Sequence, residues 1–253
     1  MIEKITDLES ISGVSSPLFS LIYTDGVFSF DGIDGVFIQR AHSGGITALF
    51  SVKNTCVNLV TLGNPDFFEL KSFFEFSKVG EILSDKPLDM ICNVQKEYSL
   101  LRFLGSQSFE SNCVHLTSQS STGEYKNIFS LLSERDGSFE NWFIGFSRKI
   151  NSENAKATYV CVDKRIVSCA LAPSVYKESS VIAGVYTLKE YRNKGYASEC
   201  VKGLLNELSD RKVRCVYLWC EDDNIGFYKK HERFRPGRSF VLSCKDDLCG
   251  RRP

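Results

Sequence analysis

The stretch over residues 181–196 reads VIAGVYTLKEYRNKGY, and the interpretation of the rest of the chain depends on it. Its first half is an apolar run that predicts a strand, and the segment beginning at Ala197 predicts a helix. A short loop with Arg192, Lys194 and Gly195 joins them. The first turn of a helix has backbone N–H groups without partners, and the helix dipole favours negative charge there. Glycine lets the backbone approach a phosphate closely. The loop is therefore a candidate pyrophosphate site formed mainly by main-chain amides, with two cationic side chains beside it.

Strands and helices are predicted on both sides of this loop. Apolar runs before it predict two strands that a tight hairpin at Asp163-Lys164 joins. The helix after the loop has a buried stripe at helical spacing, formed by Cys200, Val201, Leu204, Leu205 and Leu208. The predicted strands are 157–163, 165–172, 181–188, 213–220 and 239–244, and the predicted helices are 124–134, 139–150, 197–211 and 224–231.

The first hundred residues are rich in Phe, Gly and Ser and also predict α+β structure. Strands are predicted over 36–40, 46–52 and 56–62, followed by a helix that Pro65-Asp66 opens and that runs to about residue 77. A polar stretch over 105–123 is the best candidate for a connection between domains. We therefore predict a smaller N-terminal α+β domain over residues 1–118 and a second domain over residues 119–253.

Composition and charge exclude several classes of function. The 253 residues include 31 Lys and Arg against 31 Asp and Glu, so the net charge is zero. Neither nucleic-acid binding nor binding to an anionic membrane is favoured. No apolar stretch approaches the roughly 18–20 residues that span a bilayer. The first ten residues, MIEKITDLES, carry charges where a signal peptide has its apolar region, which predicts a cytoplasmic protein.

Ten cysteines and three histidines suggest no metal site. No C-x-x-C pair occurs, and the offset of five between Cys215 and Cys220 places them on opposite faces of a strand. Small buried thiols are the favoured interpretation. His42 and His115 have no partner at ligand or triad spacing, so a structural or solvent role is expected for each.

The loop and its surroundings resemble a known superfamily. Residues 192–197, RNKGYA, match the R/Q-x-x-G-x-G/A signature of the GNAT (GCN5-related) N-acetyltransferases. The preceding GVYT at 184–187 and the later NIGFYKK at 224–230 resemble that superfamily's flanking strand and final helix. Trp142 stands where related bacterial members have an aromatic residue. The resemblance covers roughly residues 119–253, although residues 230–234, KHERF, are one residue longer than the superfamily's pattern and lack its glycine.

The resemblance implies a fold, a cofactor and site residues. The implied fold is α+β, with a central, mostly antiparallel, splayed sheet flanked by helices. The implied reaction moves an acetyl group from acetyl-CoA to a primary amine of a small molecule or protein, by direct attack and with Tyr228 as general acid. The residues implied to bind acetyl-CoA are Val185, Tyr186, Thr187, Arg192, Asn193, Lys194, Gly195, Tyr196, Ala197 and Asn224.

Several alternatives stay open at this stage. Tyr228 either protonates the leaving thiolate or only packs on CoA, and Asn224 either binds the pantetheine arm or caps the last helix. A general base is not identified: the acids Glu221, Asp222, Asp223 and Glu140 are more often surface charges, and water can carry the proton. The chain is either an active enzyme or an inactive CoA-binding or interaction module. The N-terminal domain is either a separate accessory domain or a degenerate copy of the same fold that lacks the loop motif.

Overall fold

A computed structural model gives the fold of the protein. It describes residues 1–253 except 12–13, 15, 29–33, 87, 89–90, 92–98, 105–107, 133–137, 231–233 and 238–253. The predicted strand 239–244 and the polar tail lie outside the described residues. The chain divides into two compact units, residues 1–101 with 219–253 and residues 102–218. The division into domains at residue 118 stays a prediction.

A five-stranded sheet forms most of the first unit. The strand order is β1-β2-β3-β4-β5, with antiparallel pairs up to β4 and a parallel pair between β4 and β5. Buried aromatic and aliphatic side chains from β3 and from the helix before β5, among them Phe50, Leu70 and Phe74, form its core. The elements are β1 (Ile2–Ile5), α1 (Phe19–Val27), β2 (Gly35–Arg40), β3 (Ile46–Lys53), β4 (Cys56–Thr61), α2 (Phe67–Phe76) and β5 (Glu81–Ser84).

A second sheet has seven strands in the order β12-β6-β11-β10-β9-β8-β7. Its strands are β6 (Ser99–Leu104), β7 (Val114–His115), β8 (Lys156–Val162), β9 (Arg165–Tyr176), β10 (Ser179–Thr187), β11 (Cys215–Cys220) and β12 (Phe234–Gly237). The later helices are α3 (Thr122–Leu131), α4 (Phe139–Asn151), α5 (Tyr196–Asp210) and α6 (Asp222–Lys229). The mixed α+β class is thereby confirmed.

The same strand pattern occurs twice in the chain. From β7 to β10 neighbouring strands are antiparallel, and β10 and β11 are parallel, with α5 between them in sequence. From β1 to β4 neighbours are likewise antiparallel, and β4 and β5 are parallel, with α2 between them. In each case the helix follows the first of the two parallel strands along the chain.

Most predicted elements in the described residues are present, and the differences are local. The Asp163-Lys164 hairpin is confirmed, and both residues have positive φ, as a tight two-residue turn between strands requires. Strand β9 runs four residues past its predicted end, and a second hairpin joins it to β10. Strand β11 begins at Cys215 instead of residue 213, and α6 begins at Asp222 instead of residue 224.

Helix α5 is anchored to the sheet by its apolar face. All five members of the predicted stripe are buried, and the helix packs on β8 and β9. A side-chain hydrogen bond adds to this packing, because Thr158 Oγ1 on β8 donates to the Cys200 carbonyl at 2.7 Å. The helix that follows the loop is therefore held rigidly by the sheet beneath it.

Removing one of these side chains should destabilise the fold. Leu204 is fully buried, and Leu204→Ala should lower the free energy of unfolding by about 2–5 kcal/mol, because burial is lost and a cavity remains. Urea denaturation measures the change. Asp210→Ala, exposed at the end of the same helix, is the control and should change it by less than about 0.5 kcal/mol. A Leu204→Ala variant as stable as the wild type would contradict this packing.

Candidate functional site

The last residues of β10 are not paired with β11. Parallel pairing between the two strands covers Ser179 to Ile182 on β10, whereas β10 continues to Thr187. The register with β9 on the other side shifts between Ala183 and Tyr186, and Gly184 has φ +62°. Residues 184–186 are half-buried. The structure therefore leaves one main-chain edge of β10 without a pairing to β11 near residues 183–187.

Hydrogen bonds from β9 hold the C-terminal end of β10 in place. Ser168 Oγ donates to the Tyr186 carbonyl at 3.0 Å, and it lies 2.8 Å from Thr187 Oγ1. Just beyond the strand, the Leu188 N–H donates to the Val167 carbonyl at 2.9 Å. Among the described strands, β9 is thus the one that holds the end of β10, and the opposite edge of these residues has no strand partner there.

The loop between β10 and α5 requires two left-handed backbone conformations. A short 3₁₀ turn over Lys189–Tyr191 comes first, then Asn193 has φ +62° and Gly195 has φ +86°. Asparagine and glycine are the residues that adopt this region most readily. A Cβ built on Gly195 would meet nothing within 4 Å, so it would point into open space. The loop thus turns back on itself, and its residues 192–195 are exposed.

Consecutive main-chain amides of this loop are left open at the start of α5. Gly195 is the N-cap of α5 and has no side chain to cap the helix. The first bond of the helix runs from the Glu199 N–H to the Gly195 carbonyl at 3.0 Å. Within the part of the chain that the structure describes, the five N–H groups of residues 193–197 have no hydrogen-bond acceptor. An uncapped helix N-terminus with several free amides is a ready-made anion site.

The two cationic side chains of the loop also contribute to its shape. Arg192 Nε donates to the Thr187 carbonyl at 3.1 Å, and the guanidinium lies 5.7 Å from the centre of the Tyr186 ring. Lys194 Nζ lies 5.2 Å from the centre of the Tyr191 ring. Arg192 therefore braces the loop against the end of β10, a role that the sequence did not indicate, while both residues stay exposed and add positive charge.

Helix α2 of the first unit, which has the corresponding place in its strand pattern, begins differently. Its N-cap is Asp66, whose carboxylate accepts the Glu69 N–H at 3.0 Å. Glu69 in the first turn accepts the Ile2 N–H at 2.9 Å and Gln39 Nε2 at 2.8 Å. The N-terminus of this helix thus carries two carboxylates of its own chain, which oppose the approach of another anion.

Helix α6 belongs to the other compact unit and carries Asn224 and Tyr228. Tyr228 is 8% exposed, and its burial, with a smaller contribution from Cys220, raises the pKa of its phenol. Glu221 is the N-cap and the next two residues are acidic, so these carboxylates lie where the helix dipole favours them. Asn224 therefore lies inside the first turn, and its interpretation as the helix cap is wrong.

The sequence does not indicate the polar contact between His115 on β7 and Glu207 on α5. His115 Nδ1 lies 2.8 Å from Glu207 Oε2, a contact compatible with the structural role expected for His115. The two residues are 92 positions apart, and neither forms a recognisable motif, so no signal in the sequence could have identified the pair. Among the described residues, no group of three or more His, Cys, Asp or Glu residues is arranged to hold a metal ion. No described helix is long and apolar enough to span a membrane.

Comparison with known proteins agrees with this geometry. Residues 121–232 match the family model described as the acetyltransferase (GNAT) family. No curated protein matches the chain. A Drosophila protein of known structure aligns with a TM-score of 0.63 at 10% identity, over 97% of this chain and 99% of its own. A GCN5-related N-acetyltransferase from Sphaerobacter thermophilus gives 0.58 at 14% identity, over 85% and 81%.

A third structure is similar over almost the whole chain. It is a tandem GNAT protein from the clavulanic acid biosynthesis pathway, with a TM-score of 0.56 at 11% identity, over 95% of this chain and 97% of its own. At these identities the structures establish a common fold, and the family model locates the domain within it. The chain therefore carries an acetyltransferase domain of the GNAT family over residues 121–232.

Proposed function

We propose that the protein is an N-acetyltransferase that moves the acetyl group of acetyl-CoA to a primary amine. Family membership implies acyl transfer from acetyl-CoA, and the amine acceptor is the finer part of the proposal. The observation that carries it is the run of five amides over residues 193–197 that have no acceptor within the described chain. A pyrophosphate is a dianion whose oxygens accept several N–H groups at once, which suits such a run.

The residues present fit acetyl-CoA. The open space above Gly195 allows a phosphate to approach the backbone closely, and Arg192 and Lys194 place positive charge beside it. The main chain of Val185, Tyr186 and Thr187, on the edge of β10 that is not paired with β11, would bind the amides of the pantetheine arm. Asn193, Tyr196 and Ala197 would contribute main-chain amides to the phosphates. When bound, acetyl-CoA supplies the acetyl thioester to be transferred.

Tyr228 is proposed as the general acid. A phenol with a raised pKa holds its proton at neutral pH, so it can donate that proton to the sulfur of the departing thiolate. Asn224, exposed in the first turn of α6, is proposed as a polar contact for the pantetheine arm. The alternative for Tyr228 is packing alone, and the two roles differ in whether its hydroxyl contributes to the rate.

The amine acceptor needs to lose a proton, and water is proposed as the carrier. Glu221, Asp222 and Asp223 lie at the start of α6, where the helix dipole accounts for them. Asp222 also accepts a hydrogen bond from Ser99 Oγ at 2.7 Å. A small molecule or a protein amino group is proposed as the acceptor, and the protein is proposed to act in the cytoplasm.

The second candidate function is an inactive CoA-binding or interaction module. The observation that favours it is the main-chain nature of the loop site, because main-chain contacts survive the loss of catalytic side chains. An active enzyme releases CoA when acetyl-CoA and a primary amine are both supplied. A binding module binds acetyl-CoA and releases none over a wide panel of amines.

The N-terminal domain over residues 1–118 is proposed to be a degenerate copy of the GNAT fold with an accessory role. The repeated strand pattern supports this, as does the similarity over most of the chain to a tandem GNAT protein. The carboxylates at the start of α2 indicate that this copy does not bind a pyrophosphate.

The first prediction concerns Gly195. Gly195→Ala places a methyl group in the space proposed for a phosphate and strains the backbone, because φ is +86°. We expect the Kd for acetyl-CoA to rise by about tenfold or more, a change of about 1.4 kcal/mol. The methyl group takes up space that the phosphate needs, and an alanine that relaxes out of the left-handed region moves the amides away from their binding positions. Isothermal titration calorimetry measures the change.

A matched glycine supplies the control. Gly145 lies within α4, and a Cβ there also meets nothing within 4 Å, but its φ is ordinary. Gly145→Ala should therefore leave the Kd unchanged. Equal affinities of both variants and the wild type would show that the loop is not the phosphate site.

The second prediction concerns stoichiometry. Although the strand pattern occurs twice, we expect one acetyl-CoA per chain. Helices α2 and α5 have equivalent places in the two patterns, and of these two only α5 begins without a capping side chain. The same titrations give the number of sites directly. A value of two would mean that the carboxylates of α2 do not exclude the ligand.

The third prediction concerns the Tyr228 hydroxyl. Tyr228→Phe keeps the ring and its packing, so the Kd for acetyl-CoA should change little, whereas kcat should fall by roughly 10²-fold if the hydroxyl donates a proton. CoA release in the presence of a primary amine measures kcat. Tyr176→Phe, a buried tyrosine on β9, is the control and should keep the wild-type rate. A Tyr228→Phe enzyme of full activity would leave Tyr228 a packing residue.

A further inference from the structure

Aromatic side chains of α3 and α4 pack on one another and form an aromatic cluster. The ring centres of Tyr125 on α3 and Phe143 on α4 lie 5.1 Å apart, and those of Trp142 and Phe146 on α4 lie 4.9 Å apart. Ring pairs at such distances attract each other beyond the effect of burial. The members of the aromatic cluster are Tyr125, Phe129, Phe139, Trp142, Phe143 and Phe146.

The aromatic cluster lies on the face of the sheet that α5 does not cover. Thr158 on β8 points towards α5, because its hydroxyl donates to the Cys200 carbonyl. Its neighbours Ala157 and Tyr159 belong to the same buried core as Phe146. Since successive residues of a strand point to opposite faces, α5 packs on one face of the sheet and the aromatic cluster on the other.

Most of the aromatic cluster is not fully covered. The rings of Tyr125 and Phe146 are buried, and the rest are half-buried. Ile144, next to Phe143 on α4, is 52% exposed. The apolar stripe of α5 on the other face differs, because all five of its members are buried. Partly exposed aromatic side chains that gather in one place are typical of a surface that binds an apolar group.

The aromatic cluster is continuous with the end of β10. Tyr186 and Leu188, at the end of the strand and just beyond it, are half-buried and pack against the same buried core as Trp142 and Phe143. Tyr186 also belongs to the main-chain edge that is proposed to bind the pantetheine arm. The aromatic side chains thus extend from the two helices to the strand end proposed for acetyl-CoA.

Carboxylates border the aromatic cluster. Glu124 precedes Tyr125 on α3 and accepts hydrogen bonds from the Tyr159 hydroxyl and, at 2.7 Å, from the Ser121 N–H. The bond from Tyr159 is the main cause that lowers the pKa of Glu124, so this carboxylate is ionised at neutral pH. Glu140 is exposed in the first turn of α4, whose basic residues lie in its last turn. The first turns of both helices therefore carry negative side chains, which attract an ammonium group.

We propose that the acceptor of the acetyl group is an arylalkylamine without a carboxylate, whose aromatic ring packs on the aromatic cluster. This inference rests on the proposed acetyl transfer. The amine nitrogen has to come within about 3–3.5 Å of the thioester carbon before it reacts. Tyr186 and Leu188 connect the proposed acetyl-CoA edge to the aromatic cluster, so a ring joined to the amine by a short alkyl chain can reach it.

The transfer itself is balanced as follows from its chemistry. The amine nitrogen attacks the carbonyl carbon of the thioester, a C–N bond forms and the C–S bond breaks. The sulfur leaves with the electron pair of that bond and takes up a proton, for which Tyr228 is the proposed donor. The nitrogen loses a proton to water, and an amide and CoA result.

Burial and charge together favour this class of acceptor over others. A half-buried ring offers an edge or part of a face, which suits one aromatic ring of a small molecule rather than a protein surface. The ammonium group of the acceptor is also attracted to aromatic faces. A carboxylate on the acceptor, as in an amino acid, would instead be repelled by Glu124 and Glu140.

The experiment measures CoA release by the full chain from acetyl-CoA with 2-phenylethylamine, propylamine or L-phenylalanine. We expect kcat/KM for 2-phenylethylamine to exceed that for propylamine by at least about tenfold, because the ring removes apolar surface from water. It should exceed that for L-phenylalanine as well, since the same ring then brings a carboxylate. Equal values for 2-phenylethylamine and propylamine, or a higher value for L-phenylalanine, would overturn the proposal.

The outcomes separate this inference from the proposed function. CoA release with propylamine and 2-phenylethylamine at equal kcat/KM overturns the choice of acceptor and leaves the acetyltransferase activity in place. A protein that binds acetyl-CoA and releases CoA with none of the amines overturns both. A preference for 2-phenylethylamine over the other two amines supports both.

A variant tests the aromatic cluster directly. Trp142→Leu keeps an apolar side chain against the core but removes the indole ring. It should lower kcat/KM for 2-phenylethylamine about fivefold more than for propylamine, because one acceptor loses a ring contact and the other does not. A merely structural role would lower both values by the same factor.

Phe68 on α2, which is 83% exposed, supplies the control. Phe68→Leu removes an aromatic ring outside the aromatic cluster and should keep the wild-type kcat/KM for both amines. Far-UV circular dichroism establishes whether each variant is folded. A folded Trp142→Leu protein with the wild-type preference would overturn the proposal, and the wild-type comparison of the amines decides it if this variant does not fold.

Discussion

The left-handed backbone at Gly195 is the constraint on which the site depends. Because φ is +86° there, the chain leaves β10, turns back and enters α5 without a capping side chain. As a result, the five N–H groups of residues 193–197 have no hydrogen-bond acceptor among the residues that the structure describes. Helix α5 can hold them still because its apolar stripe is buried on β8 and β9. Arg192 holds the loop to the Thr187 carbonyl at the end of β10, and Ser168 on β9 holds that end of β10 in place.

The first unit shows that this strand pattern by itself does not create an anion site. Its sheet has the same sequence of antiparallel and parallel pairs, and α2 follows the inner strand just as α5 does. The helix begins with Asp66 and Glu69, however, and their carboxylates satisfy amides of the chain itself. The residues at the cap position and in the first turn thus distinguish the N-terminus of α2 from that of α5. The difference between the two helices is local chemistry on a common scaffold.

The sequence predicted the elements and the loop because both depend on local patterns. Apolar periodicity located α5 and its stripe, and one glycine among cationic residues indicated the amide site. The role of Arg192 as a brace could not be predicted, since it depends on where the Thr187 carbonyl lies after folding. The start of α6 was misplaced because its first turn consists of acidic residues without a typical cap. The contact between His115 and Glu207 depends on the packing of α5 on the sheet, which local periodicity does not encode.

The measurement that tests the central claim most directly is a titration of the ¹⁵N-labelled protein with acetyl-CoA, followed by the amide chemical shifts. If the uncapped start of α5 binds the pyrophosphate, the largest shifts will be at residues 193–197, and the amides at the start of α2, residues 67–70, will not move. Saturable binding that leaves residues 193–197 unchanged, or that shifts the amides of α2 instead, would contradict the account.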